Sequence, residues 1–120
     1  MSWTIRLERH VDIVESFFVD VVLAGPDDVE RWEREIAALL TPGAPHRLLI
    51  DLDGLVVKPA AAGAFGEARA RVLARYARCS ARYGGDGWTR MSIHTSAIRQ
   101  NTHGEVFETR DEALRYLRSF

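Results

Sequence analysis

The sequence predicts a single α/β domain, a mixed β-sheet of about five strands with helices packed on it, chiefly on one side. Three observations predict it. The chain has 120 residues, the size of one domain around one core. Stretches whose apolar residues alternate with period 2 are interleaved with stretches of helical period. After an opening hairpin, these run strand, helix, strand, helix, and parallel neighbours in a sheet need such crossovers. The 47% hydrophobic and 28% charged fractions are those of a globular chain and exclude disorder, collagen and a disulfide scaffold.

Each element follows from its local text. Trp3, Ile5 and Leu7 alternate with Thr4, Arg6 and Glu8, as in a half-buried strand. A turn over 10–12 leads to a second strand over 13–23, with Phe17, Val19, Val21 and Leu23 expected on one face and Ser16 and Asp20 on the other. Gly25-Pro26-Asp27-Asp28 breaks that strand and offers an aspartate N-cap. Val29, Trp32, Ile36, Leu39 and Leu40 then recur at helical spacing, with Glu30, Arg31, Glu33, Arg34 and Glu35 outward. Thr41-Pro42-Gly43-Ala44-Pro45 ends this helix. Leu48-Leu49-Ile50, an apolar run without alternation, predicts a central strand over 47–52 covered on both faces.

A loop over 54–58 leads to Pro59 in the first turn of a second helix. Its buried stripe is expected to be Phe65, Ala68, Val72, Tyr76, Cys79 and Tyr83, closed by Gly84-Gly85-Asp86-Gly87. Residues 88–95 read as a strand, with Met91 and Ile93 opposite Ser92 and His94. A short helix over 96–103 and a short strand over 105–107 follow. Thr109-Arg110-Asp111-Glu112 is a capping box opening a last helix carried by Leu114, Leu117 and Phe120. The predicted order is β-β-α-β-α-β-(α)-β-α, one domain over 1–120.

Two segments carry a family resemblance. Leu48-Leu49-Ile50-Asp51-Leu52-Asp53-Gly54-Leu55 is similar to the strand and loop "hydrophobic-D-L-x-G-V/L" of the STAS-like anti-sigma-factor antagonists. Glu105-Val106-Phe107-Glu108-Thr109-Arg110-Asp111-Glu112-Ala113-Leu114-Arg115-Tyr116-Leu117 resembles the "v-F-x-t-x-e-E-A-l-x-W/Y-L" ending of their SpoIIAA-like relatives. The resemblance implies a STAS-like fold and a docking role. It also implies, through the similarity of SpoIIAA-like domains to lipid-carrying folds, a pocket for a small apolar or lipidic ligand between sheet and helices. The family's phospho-switch members place D-S-S or D-S-T at the start of the helix after that loop. This chain has Pro59, Ala60 and Ala61 there and no serine or threonine between Leu48 and Arg78. The charge switch that phosphorylation would supply is therefore missing at that place.

The net charge of −1 hides an asymmetry: residues 1–57 carry five Arg against eleven acids, and residues 58–120 carry eleven Lys and Arg against six. Fifteen of the sixteen basic residues are Arg, Lys58 being the exception, a bias that fits a GC-rich bacterial genome. The lone Cys79 cannot form an internal disulfide, which suits a reducing cytoplasm. No apolar run approaches a membrane span, and Met1-Ser2-Trp3-Thr4-Ile5-Arg6 lacks the layout of a secretory signal.

The candidate sites are weighed against plainer roles. Asp51 and Asp53, at the C-terminal end of a central strand, lie on the usual ligand side of an α/β sheet and could share a metal or a proton. Capping a helix or pairing with arginine is the preferred account, because no third ligand follows at a telling spacing. His94 and His103, near Arg90 and Arg99, lack a catalytic partner such as H-E-x-x-H or G-x-S-x-G, and His10 and His46 sit near turns. Cys79 reads as an inert packing residue, and Trp32 and Trp88 as packing aromatics. Gly84-Gly85-Asp86-Gly87, read as following a helix, offers no phosphate site.

Arg71, Arg75, Arg78 and Arg82 fall on one face if the second helix runs through them, either a docking surface or a solvated face balanced by the acidic first helix. No aromatic residue interleaves with them, which argues against nucleic acid, and the opposite face is needed for the core, which argues against membrane insertion. The reading is a non-catalytic cytoplasmic regulatory or protein-interaction module docking through residues 53–62, with Asp53, Gly54, Lys58, Ala60 and Ala61, joined by those four arginines. No metal and no cofactor are implied. The partner is an unidentified protein, and a homodimer is compatible with the open hairpin edge. A carrier of a small apolar ligand, its pocket beside Ala60, Ala61, Ala62, Gly63 and Ala64, is the alternative. An enzyme using Asp51, Asp53 and His94 ranks last.

Overall fold

The computed structural model describes residues 3–101 and 104–120. Its elements are β1 (Thr4–Arg9), β2 (Val14–Val19), β3 (Val21–Leu23), α1 (Pro26–Leu40), β4 (His46–Asp51), β5 (Leu55–Val57), α2 (Pro59–Tyr76), β6 (Ala77–Tyr83), α3 (Gly87–Gln100), β7 (Val106–Phe107) and α4 (Arg110–Leu117). The main sheet has the order β1-β2-β4-β6-β7, with β1 antiparallel to β2 and every other pairing parallel. β3 continues β2 beyond Asp20, whose φ of 54° turns the chain. β5 continues β4 beyond Gly54, and the two extensions pair in parallel as a second, two-stranded sheet. Gly54 has φ +83°, and a Cβ there would stand 2.1 Å from the Phe18 carbonyl oxygen, so only glycine lets the two bends pass each other.

The sheet separates two apolar layers. On one face Val14, Phe18, Leu48 and Leu52 meet Trp32 and Ile36 of α1, Phe65 and Val72 of α2, and Ile93 of α3. Trp32 and Phe65 pack edge to face with ring centres 5.1 Å apart. On the other, Leu49, Cys79, Ala81 and Tyr83 meet Ala113 and Leu117 of α4. Leu48 and Leu49 point to opposite faces and both are buried, which is why the central strand shows no alternation. Each such leucine contributes about 1.5–3 kcal/mol of burial.

The capping box forms as expected: the Glu112 amide donates to Thr109 Oγ1 and the Thr109 amide to the Glu112 carboxylate, both at 3.2 Å. The aspartate N-cap of α1 does not. Gly25 is the cap, Pro26 enters the first turn, and the Asp28 carboxylate accepts from the Ala24 amide at 2.8 Å.

Four further expectations are corrected. Residues 77–83, read as the end of the second helix, are strand β6 at the centre of the sheet. Tyr76, Cys79 and Tyr83 happen to fall at helical spacing, yet the chain turns extended at Ala77, with φ −116° and ψ 127°, and Cys79, Ala81 and Tyr83 alternate with Ser80 and Arg82. Residues 88–95, read as a strand, belong to α3, capped by Asp86, whose carboxylate accepts from the Thr89 amide at 2.7 Å. The predicted helix over 96–103 supplies only its last turns; His103 lies outside the described residues. On β2, Glu15 and Ser16 are buried, because β2 lies inside the sheet with cover on both faces, and Val19, the last residue of the strand, is exposed. The order of the principal elements stands, with a strand and a helix displaced along the chain and with β3 and β5 added.

Candidate functional site

The turn after β4 is built by its carboxylates. Asp51 Oδ1 accepts from the Asp53 amide at 2.9 Å, and Asp53 Oδ1 accepts from the Gly85 amide at 2.9 Å. The pair thus binds the turn after β4 to the turn after β6 instead of gripping a helix end or an arginine. Burial, with the charges of Asp53 and Glu15, pushes the Asp51 carboxyl up. Among the described residues no group of three or more His, Cys, Asp or Glu is placed to hold a metal ion. His94 is exposed on α3.

Gly84-Gly85-Asp86-Gly87 follows a strand and opens α3, contrary to the sequence reading. Its first two amides are taken, Gly84's by the Phe107 carbonyl and Gly85's by Asp53, and the Asp86 carboxylate accepts from the Thr89 amide and hydroxyl. Two carboxylates at that corner would repel a phosphate.

The arginine face does not exist as a unit. Arg71 on α2 forms a two-pronged pair with Glu33 of α1, both bonds at 2.8 Å, so the acidic first helix balances this one residue within the molecule. Arg75 is exposed near the Tyr76 ring, Arg78 is exposed on β6, and Arg82 is fully buried. The break at Ala77, where α2 gives way to β6, scatters the four residues.

The loop and helix start over 53–62 fare differently. Asp53, Gly54, Lys58, Pro59 and Ala60 are exposed, whereas Ala61 is buried in the core. α3 lies along this part of α2, and Gly66 permits the approach, since a Cβ there would come 2.8 Å from Ser96 Cβ. A groove of about 200 Å³ runs between the two helices, walled by Ala62, Gly63 and Glu67 on one side and Trp88, Met91 and Thr95 on the other. Trp88 is 46%, Met91 60% and Ile98 72% exposed, all on the outward side of α3. That helix carries Arg90 and Arg99 and no acidic residue.

The α3 surface was missed because 88–95 was read as a strand. The spacing of Trp88, Met91, Thr95 and Ile98, i, i+3, i+7 and i+10, was the signal for a helix face. Also missed was a buried polar cluster under α4. Glu15 accepts from Arg110 Nε and Nη2, both at 2.9 Å, and from the Tyr83 hydroxyl at 2.7 Å, with His10 Nε2 at 3.3 Å. Burial alone would raise the Glu15 carboxyl; the bonds from Arg110 and Tyr83 outweigh it and hold it below its ordinary value. Burial and the Glu15 bond push the Tyr83 phenol up. The cluster fastens the start of α4 to the sheet.

No family model matches this chain, and no curated protein matches it in sequence. Among solved structures it is similar to an uncharacterized protein of the DUF3478 family with a SpoIIAA-like fold from Shewanella loihica PV-4. The identity is 18%, the TM-score 0.60, and the match covers 96% of this chain and 93% of that one. The likeness establishes the architecture that the segments around Asp51 and Glu112 suggested: this chain has a SpoIIAA-like fold.

Proposed function

We propose that the chain is a non-catalytic regulatory module that docks an acidic, amphipathic helix of a partner protein against the start of α2 and the outer face of α3. The observation that carries the reading is the joint exposure of Trp88 and Met91, which wall the α2–α3 groove, with Ile98 also exposed on the same helix. Clustered apolar side chains left in water mark interaction surfaces, and Trp and Met are favoured where a partner must be gripped. The charges select the partner's chemistry. Arg99 and Glu67 both line the groove, and α3 itself carries Arg90 and Arg99 and no acidic residue, so an acidic segment laid along α3 would be drawn in, with Glu67 left to meet a basic residue at its edge.

The carrier alternative finds less support, because the cavity between the sheet and the helices is about 30 Å³, near the share of a single water in the liquid. Pro59, Ala60 and Ala61 carry no phosphate acceptor, so release of the partner is governed elsewhere. A buried free thiol at Cys79 suits a reducing cytoplasm.

Trp88 emission tests the docking reading, with Trp88→Phe identifying its share of the signal. A designed acidic amphipathic helical peptide should shift it to the blue, less so at higher salt, and a basic version of the peptide should not. A shift with anionic phosphatidylglycerol vesicles and none with the peptide would assign the face to a membrane surface instead.

A further inference from the structure

We propose that the groove where β1 ends and β2, β4 and β6 begin binds a small soluble ligand through two adjacent phosphate groups, gripped by Arg9, Arg47 and Arg78. Its volume, about 530 Å³, is that of a small-molecule site. Each arginine comes from a different strand: Arg9 closes β1, Arg47 lies on β4 and Arg78 on β6. The register between β4 and β6 breaks here. His46 faces Ala77 and Arg47 faces Cys79, so Arg78 is the residue passed over. Such a bulge re-aims a side chain, and it sets Arg78 near Arg47; the charges of both act on the Cys79 thiol. Gly43, with φ +81°, leaves room next to Arg9, since a Cβ there would stand 3.9 Å from Arg9 Nη1 and 3.4 Å from the His46 ring.

Charge and fork geometry select the ligand. Among the described residues no side-chain carboxylate pairs with any of the three arginines. The acid in the lining, Asp12, is held by Arg118 at 3.1 Å. Arg9 and Arg47 each give one N–H to a backbone oxygen, of Leu39 at 3.3 Å and of Phe120 at 3.0 Å, which leaves most of their donors for a ligand. Guanidinium forks match phosphate oxygens two at a time. Arg9 and Arg78 are exposed and Arg47 is half-buried, so each contact is screened by water and weak alone. A ligand must engage several at once, as a doubled phosphate does and chloride or a single carboxylate does not. The lining holds no Phe, Tyr or Trp on which a nucleobase could stack, so recognition rests on the phosphates. The groove lies at the start of β6 and Trp88 beyond its end, roughly 20 Å along the strand, and the inference stands independently of the docking reading.

The test is calorimetric titration of the protein with inorganic pyrophosphate at physiological salt. One saturable site is expected, about tenfold tighter than for orthophosphate or sulfate and weaker as salt rises. Arg47→Gln and Arg78→Gln should each weaken it about tenfold, the loss of one charge-assisted fork. Arg90→Gln, beside the turn at the other end of β6, should bind as the parent does. Amide shifts in the NMR spectrum of the unaltered protein should gather at 9–14, 43–47 and 78, a readout that needs no variant. No saturable binding at millimolar pyrophosphate, equal affinity for sulfate, or undiminished binding by Arg78→Gln would each overturn the proposal. So would shifts at these residues with phosphatidic acid vesicles and none with pyrophosphate, which would assign the arginines to a membrane surface.

Discussion

Replacing Arg110 with methionine removes the ion partner from a carboxylate that the fold has taken out of water. Glu15 is 2% exposed, and Arg110 holds both of its oxygens at 2.9 Å. Removing one member of a buried pair costs about 3–5 kcal/mol. The Arg110 side chain is 42% exposed, so water screens part of the interaction and the expected loss at neutral pH is about 2–3 kcal/mol, a fall in Tm of about 10 °C. The loss depends on pH in a defined direction. The native Glu15 carboxyl is held below its ordinary value of 4.5, so the unfolded chain binds the extra proton. The stabilisation is full above that value and fades as pH falls through the native one. In Arg110→Met burial becomes the stronger influence and the carboxyl takes up its proton at higher pH, so the deficit should shrink on acidification from about pH 7 to about pH 4.5. Urea unfolding of both proteins across that range measures it. A deficit under about 0.5 kcal/mol at pH 7, or one unchanged by pH, would refute the role given to the pair. Adding Glu15→Leu to Arg110→Met should recover much of the loss.

The other predictions are more local. Trp88→Ser with Met91→Lys should change stability by no more than about 0.5 kcal/mol, both sites being exposed, and abolish the peptide-induced fluorescence and anisotropy changes of a labelled acidic helix. Gly54→Ala should cost about 3 kcal/mol or prevent folding, measured by chemical unfolding, because φ is +83° and the new Cβ meets the Phe18 carbonyl. Cys79, buried and with its thiol pushed up by that burial, should react with a thiol reagent only as fast as the sheet opens.

What could be read from the chain depended on whether local pattern and tertiary role agreed. α1 and the box at Thr109 were legible because amphipathic spacing and capping chemistry are local. Leu48-Leu49-Ile50 was legible because a strand covered on both faces leaves an unbroken apolar run. β6 was not. Ala77–Tyr83 contains no β-branched residue, and its Cys and Tyr positions continue the spacing of α2, so only pairing with β4 makes it a strand. α3 was obscured by its exposed apolar residues: Met91 and Ile93 alternate with Ser92 and His94 although one is solvent-facing and the other buried. The charge pattern misled for the same reason. Arg71 and Arg82 look equivalent in sequence, but one pairs with Glu33 across the surface and the other lies beneath a helix. The exposure of Asp53, Gly54, Lys58, Pro59 and Ala60 was legible because the chain leaves the sheet at the end of a central strand, whereas the burial of Leu55 and Val57 in β5 was not.

The docking surface is the central claim, and photocrosslinking tests it most directly. A photoreactive amino acid is placed at Met91 on α3 or, as a control, at the exposed Arg115 on α4, irradiated in the native cell, and the adduct sequenced by mass spectrometry. The account predicts one partner segment from position 91, acidic with apolar residues at helical spacing, and none from position 115. Equal labelling from both positions, a lipid adduct, or a second copy of this chain joined at Met91 would contradict it.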